Sequence, residues 1–350
     1  MVDRHDTTPD EARDEARDEA RDDVLNSTPD PGDRPAMIID CDPGHDDAVA
    51  IVVAARFADV RGLVTVAGNA PLSSTTHNAL VMRDLIGLEA PVHSGAARPL
   101  VAPPRSADFV HGESGLDGAD LPEPTTPLDG EDGVGFIIDT CRAEEGIWLV
   151  PVGPLTNIAL AFRQAPDLPH RVAGVSLMGG GSFGNRSAAA EFNIWADPEA
   201  AAVVFDAFDP SGSGVGTGPL IMAGLDVTHR FQLTPERIER TRDLPGRVAA
   251  TLADLFGFFT RTYLERHDEG SMLGAALHDP LAVLAVTHPD LFERIDRHVV
   301  VETKGEHTVG MTVIDERHLI ERRPPNCEIL VDLDDDAAFD LVAEAIEAAA

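Results

Sequence analysis

Lysine is almost missing from this chain: Lys304 is the only one among 27 basic residues, against 61 aspartates and glutamates, for a net charge of −34 over 350 residues. A surface so short of cations repels phosphate backbones and anionic lipid, which argues against nucleic-acid and membrane partners. Self-repulsion on this scale opposes compaction unless salt screens it. The acid-rich, lysine-poor balance resembles that of proteins from salt-loving cytoplasms. Cysteine is also scarce: Cys41, Cys141 and Cys327 are scattered, with no CxxC pair. That excludes a disulfide framework and fits reduced thiols in a cytoplasm. Long apolar runs are lacking, so no membrane span is expected. The first residues have no basic start followed by an apolar stretch, so no signal peptide is expected either.

What is present divides into two parts. Residues 1–35 hold 12 acids and 5 bases and repeat Asp-Glu-Ala-Arg three times from Asp10 before ending in a proline-rich stretch, 29–35. The four-residue period favours a helix mildly, but no face of it is apolar, so the segment reads as a solvated acidic tail. From residue 36 to 350 apolar strands alternate with helical periods, at 37–40 and 46–58, 62–67 and 73–86, 147–152 and 155–164, 175–178 and 198–208, then 220–223. The alternation predicts an α/β fold: a mostly parallel, Rossmann-like open sheet with helices on both faces, in one large domain. Two stretches, 98–132 and 179–196, read as long loops, and loops of that length usually carry function. Helices are expected to dominate 234–287. Short strands at 299–302, 309–314 and 328–331 precede a last helix at 337–349.

The densest chemistry lies where the first strand ends, in Asp40-Cys41-Asp42-Pro43-Gly44-His45-Asp46-Asp47. One acid there is explained as a helix cap. Four carboxylates in eight residues are not, because they cannot stay ionised side by side without a cation or a dense set of hydrogen bonds. The spacing therefore predicts an oxygen-ligand metal site at the carboxyl edge of a parallel sheet, where open α/β sheets keep their ligands. Further polar groups sit at other strand ends: Gly68-Asn69, Gly153 to Asn157, Met178 to Gly181, Glu191-Phe192-Asn193, and His278-Asp279-Pro280.

Taken together and in order, these motifs resemble the inosine-uridine preferring nucleoside hydrolase family over roughly residues 36–345; the acidic tail has no counterpart in the family pattern. The resemblance implies Ca²⁺ held by Asp42, Asp47 and Asp279, with a backbone carbonyl from Val152, where threonine is usual. It implies Asp42 as the base that activates the attacking water, and His278 as the acid that assists the departing base. Asp46 and Asn69 are placed on ribose hydroxyls, with Glu191, Asn193 and Asn185 on the 3′ and 5′ side. Met178 and Phe192 are read as pocket walls, His111 as a residue near the base, and Tyr263 and His267 as part of a segment that closes over it. The aromatic stripe Leu255, Phe256, Phe259 and Tyr263 also reads as a buried helix face. The family implies a ribonucleoside substrate, a role in nucleoside salvage, and a homodimer or homotetramer. Two other readings compete. A Mg²⁺-dependent phosphoryl hydrolase would use the Asp-x-Asp as nucleophile but needs a lysine near it, and Lys304 follows no suitable strand. A nucleoside-binding protein would keep the pocket without turnover.

Overall fold

A computed structural model describes residues 32–105, 112, 114–212, 214–266, 270, 272–318 and 321–349. The acidic tail up to residue 31, His111 and His267 lie outside the described residues. An eight-stranded sheet runs in the order β3-β2-β1-β4-β5-β6-β12-β9. Its strands are β1 Ala36–Cys41, β2 Asp59–Thr65, β3 Val92–Ser94, β4 Trp148–Pro151, β5 Gly174–Met178, β6 Leu220–Ala223, β9 Phe292–Arg297 and β12 Cys327–Leu333. Every pairing in it is parallel except that of the edge strand β9 with β12. Two small antiparallel pairs stand apart: β7 Gln232–Leu233 with β8 Ala275–Ala276, and β10 Val299–Val301 with β11 Thr312–Ile314.

Helices cover both faces, as expected. Met37, Ile39 and Cys41 of β1 pack with the helices His45–Phe57, Gly246–Leu264, Pro280–Thr287 and Asp335–Ala348. Ile38, between them, packs on the other side with Gly133–Ala143, Thr156–Gln164 and Pro198–Ala207. A strand apolar on both faces belongs in the middle of such a sandwich. From β1 the chain winds outward through β2 and β3, then returns to start again at β4 on the other side of β1. The winding direction therefore reverses between β1 and β4. The carboxyl ends of those two strands flank the crevice where doubly wound sheets bind their ligands.

Several elements differ from the sequence reading. The predicted loop 179–196 ends in a short helix, Phe192–Ala196. The helix Gly133–Ala143 and the strands β3 and β9 were not anticipated. β11 begins at Thr312, later than the 309 expected, because Gly305 to Met311 forms a turn closed by Val309 N–H to the Gly305 carbonyl. The helical stretch 234–287 is interrupted by β8, which pairs back to β7 and brings His278 beside the end of β6.

Candidate active site

Asp42 lies in the loop between β1 and the helix His45–Phe57, with no exposed surface. Its Oδ2 accepts the backbone N–H of Asn69 at 2.6 Å, from the loop after β2. Its Oδ1 is buried with no hydrogen-bond partner. The two oxygens are approached by Gly68 and Gly153, from the loops after β2 and β4; a Cβ on either glycine would overlap the carboxylate. The Gly-Asn and Gly-Pro sequences at these strand ends thus build a close-fitting cradle for one side chain.

Asp47 answers the helix-cap question in part. Its Oδ1 accepts Asp42 N–H at 3.0 Å, and its Oδ2 accepts Gly44 N–H at 2.9 Å and the Asn69 side-chain amide at 3.1 Å. It closes the start of the helix, and its carboxylate also meets two others. Oxygens of Asp46, Asp47 and Asp279 all lie within 4.8 Å of one another. Asp279 arrives from the start of the helix Pro280–Thr287, more than two hundred residues away in the chain. Burial raises the pKa of all of these acids: Asp46 is pushed up to about 8 by burial and by the Asp47 charge, and Asp42 and Asp279 stand well above the carboxylate range for the same two kinds of reason. Burial also raises Asp47, against the hydrogen bonds it accepts.

Asp40, two residues before Asp42 near the end of β1, is pushed up to about 8 by burial and accepts the Asn157 side-chain amide at 2.7 Å. Asn157 also donates to the Thr65 carbonyl, and its own carbonyl accepts Ala96 N–H, so Asp40 ties β1 to β2 and to the helix Thr156–Gln164.

Above the acids lies a cavity of about 420 Å³. Asp46, Asn69, Val152, Met178, Asn185, Glu191, Phe192, Asn193, Tyr263, His278 and Asp279, all expected at the site, line it. Asp42 and Asp47 do not reach its wall; both are fully buried beneath it. Asn193 donates to the carbonyls of Val152 at 2.9 Å and Met178 at 3.2 Å, linking the ends of β4 and β5. Glu191 caps the short helix it precedes, accepting N–H from Asn193 and Ile194, and accepts a third from Gly180. Gly180 has φ +76, a left-handed turn that a side chain would strain, and its carbonyl accepts Leu225 N–H. Asp197 serves as a helix-start acid, accepting Ala200 N–H, and it also bonds Thr156 and Leu100.

Sequence reasoning missed Arg186, His229, Phe259 and Arg266 as lining residues. His229 follows the carboxyl end of β6, so the rule that strand ends carry the site would have found it. Phe259 and Tyr263 were read as a buried face, and they are buried, yet both also border the cavity from the helix Gly246–Leu264. Burial holds the Tyr263 hydroxyl well above its ordinary pKa. Lys304 is exposed and is not part of the cavity, so the lysine that the phosphoryl-transfer reading calls for does not stand beside the Asp-x-Asp.

The donor set suits a hard cation. Buried carboxylates converge, one oxygen of Asp42 lacks a partner, and the nearby thiol of Cys41 is turned to the Val64 carbonyl. Among the described residues no helix is long and apolar enough to cross a membrane.

Comparison with known proteins agrees with this geometry. Residues 37–340 match the family model described as inosine-uridine preferring nucleoside hydrolase. The chain is 42% identical over 318 residues to the pyrimidine-specific ribonucleoside hydrolase RihA of Escherichia coli (strain SMS-3-5 / SECEC), covering 89% of this chain and 98% of that one. Among solved structures it is similar to a purine-preferring ribonucleoside hydrolase from Gardnerella vaginalis, with a TM-score of 0.79 and 29% identity over 89% of this chain and 99% of the other. A plant nucleoside hydrolase gives the same TM-score and identity over 90% and 99% of the two chains. The chain belongs to the inosine-uridine preferring nucleoside hydrolase family, and is a ribonucleoside hydrolase that cleaves N-glycosidic bonds.

Proposed function

We propose that the protein is a calcium-dependent hydrolase of pyrimidine ribonucleosides, releasing free base and ribose for salvage. One observation carries the metal assignment: the buried carboxylates of Asp46, Asp47 and Asp279 converge, and the loop leading into them holds a fully buried Asp42 oxygen without a hydrogen-bond partner. Asp42, Asp47 and Asp279 with the Val152 carbonyl would hold Ca²⁺, and the ion supplies a seat for the ribose diol and polarises a water. Asp46, which stands in the same carboxylate group and lines the cavity, is placed to meet a ribose hydroxyl beside the ion, together with Asn69. Asn185, Glu191 and Asn193 bound the same cavity and are assigned to the 3′ and 5′ side.

Cleavage of an N-glycosidic bond passes through an oxocarbenium-like transition state, with positive charge growing on ribose and negative charge on the base. The acids beneath the sugar stabilise the first. Asp42 takes the proton from the attacking water; a cation beside it would offset the burial that disfavours its ionised form and leave it free to accept. His278, which precedes Asp279 and lines the cavity, gives a proton to the departing base. Met178 and Phe192 wall the sugar end, and Tyr263 covers the base. Binding the whole ribose aligns the reacting carbon, so substrates lacking a hydroxyl lose rate as well as affinity.

Pyrimidine preference rests on the 42% identity to the pyrimidine-specific relative. The reading toward purines is supported by the names of two structural neighbours, the purine-preferring enzyme and an inosine-guanosine hydrolase, at 29% and 26% identity. A panel of uridine, cytidine, inosine and guanosine, assayed by release of reducing sugar in high salt, separates them. Faster turnover of uridine and cytidine supports the proposal, and faster turnover of the purines replaces it. The acidic composition extends the proposal to a salt-adapted cytoplasmic enzyme, assembled as a dimer or tetramer.

A further inference from the structure

The side chain proposed to protonate the base is itself held by a residue that no part of the reading above has used. His278 Nδ1 lies 2.7 Å from Thr228 Oγ1, across fifty residues of chain. Thr228 has no exposed surface, and His278 is 7% exposed, toward the cavity it lines. We propose that Thr228 is the positioning residue of the active site: its hydroxyl engages Nδ1 and thereby presents Nε2 to the leaving base.

Both partners of this bond are anchored. Thr228 closes the short helix Leu225–Thr228, where its N–H donates to the Gly224 carbonyl at 3.0 Å, directly after β6. Leu225 N–H is bound to the Gly180 carbonyl, so the helix cannot slide along the sheet edge. As a β-branched residue, Thr228 has few χ1 choices, which fixes where its hydroxyl points. His278 follows β8, whose pairing with β7 is extended by Leu277 N–H to the Phe231 carbonyl at 2.8 Å. The hydroxyl thus bridges two segments that are already docked. Its added effect is to select the rotation of the imidazole ring. Two rings flank the imidazole as well: His229 and Tyr263 lie with centroids 5.6 and 6.5 Å away, tilted by 51° and 46°. A hydroxyl both donates and accepts, so it stays bonded to Nδ1 whichever tautomer the ring adopts.

The inference rests on His278 acting on the leaving base, and the test separates the two. Thr228→Val, Thr228→Ala and Thr228→Ser are compared with His278→Ala and the double variant T228V/H278A, in calcium and high salt. Each is assayed on uridine and on p-nitrophenyl riboside, whose leaving group needs no protonation. T228V and T228A should lose on the order of tenfold in kcat on uridine with KM little changed, the effect of one lost hydrogen bond to a reacting group. Both should keep wild-type turnover of the activated riboside, which also shows that they are folded. T228S should recover most of the uridine rate, and T228V should cost nothing further in the H278A background. Wild-type kcat on uridine in T228V and T228A overturns the proposal. So does an equal loss on both substrates, or a full additional loss in the double variant. If H278A itself treats the two substrates alike, the acid role of His278 fails and the positioning role falls with it.

Discussion

Asp42 concentrates the physical problem of this site in one side chain. It is fully buried, its two oxygens are enclosed by glycines from two loops, and one oxygen has no donor. An acid placed this way destabilises the fold when ionised and uncompensated, a cost that the proposed role as base would account for. Asp42→Asn should therefore lower kcat/KM by about 10²–10⁴-fold, as removal of a general base does. The same change should leave the melting temperature of chelator-treated protein unchanged or higher, since one buried charge is gone. A variant with wild-type turnover would remove Asp42 as the base. A second buried group gives the pH dependence of stability. His288 is 3% exposed, bonds Thr287 Oγ1 at 2.9 Å and packs edge-on against Phe57, and burial lowers its pKa despite the pull of Glu344. Since the unfolded imidazole binds protons first, the stability that His288 contributes is present above the ordinary histidine pKa near 6.5 and is lost as pH falls through the folded value. His288→Gln should flatten the fall in melting temperature between pH 7.5 and 5.5; a slope equal to wild type would show that another group sets it.

Among elements, the strand ends decide what can be read in advance. β1, β2, β4, β5 and β6 are apolar runs followed by Gly, Pro or Asn, and their positions were legible within a few residues because both faces of each are covered. β9 was not, since Phe292-Glu-Arg-Ile-Asp-Arg297 is an edge strand with two exposed charges, and only its pairing with β12 makes it regular. The helix Gly133–Ala143 was missed because it opens on glycines, poor helix formers, and is started by the Asp132 cap to Gly135 N–H. The acidic floor of the cavity was legible from spacing, and Asn69, Asn185, Glu191 and Asn193 of its lining from the family resemblance. Its ceiling was not, because Arg186, His229, and Phe259 with Arg266 come from three separate segments that only the tertiary fold brings to one cavity. The loops that cradle Asp42 can be tested directly. Gly68→Ala places a methyl against Asp42 Oδ2 and the Pro154 ring. Overpacking of this kind costs about 1–3 kcal/mol, and here it should displace a ligand, so calcium affinity should fall by at least tenfold while the far-UV spectrum is kept. Unchanged calcium affinity in G68A would mean that the cradle does not set the geometry of the carboxylate.

The whole molecule carries its excess charge far beyond the site. Only −7 of the −34 belongs to residues 1–35, so the folded domain itself repels. Its arginines are largely committed to acid partners, among them Arg56 with Glu344, Arg61 with Glu144 and Arg83 with Asp129. Pairs of this kind hold little individually when exposed and do not cancel a net field. Lowering salt from molar to a few tens of millimolar lengthens the screening distance severalfold, and the melting temperature should drop by several degrees. A melting curve indifferent to salt would contradict the salt-adapted reading. The proposed mechanism requires a multivalent cation, rather than merely tolerating one, at the carboxylate floor beneath the cavity. Uridine hydrolysis by protein stripped with chelator, then titrated with calcium at constant high salt, tests this most directly. The account predicts turnover near background in the stripped enzyme, restored with saturation at one ion per chain. Full turnover by folded protein that holds no divalent cation would contradict it.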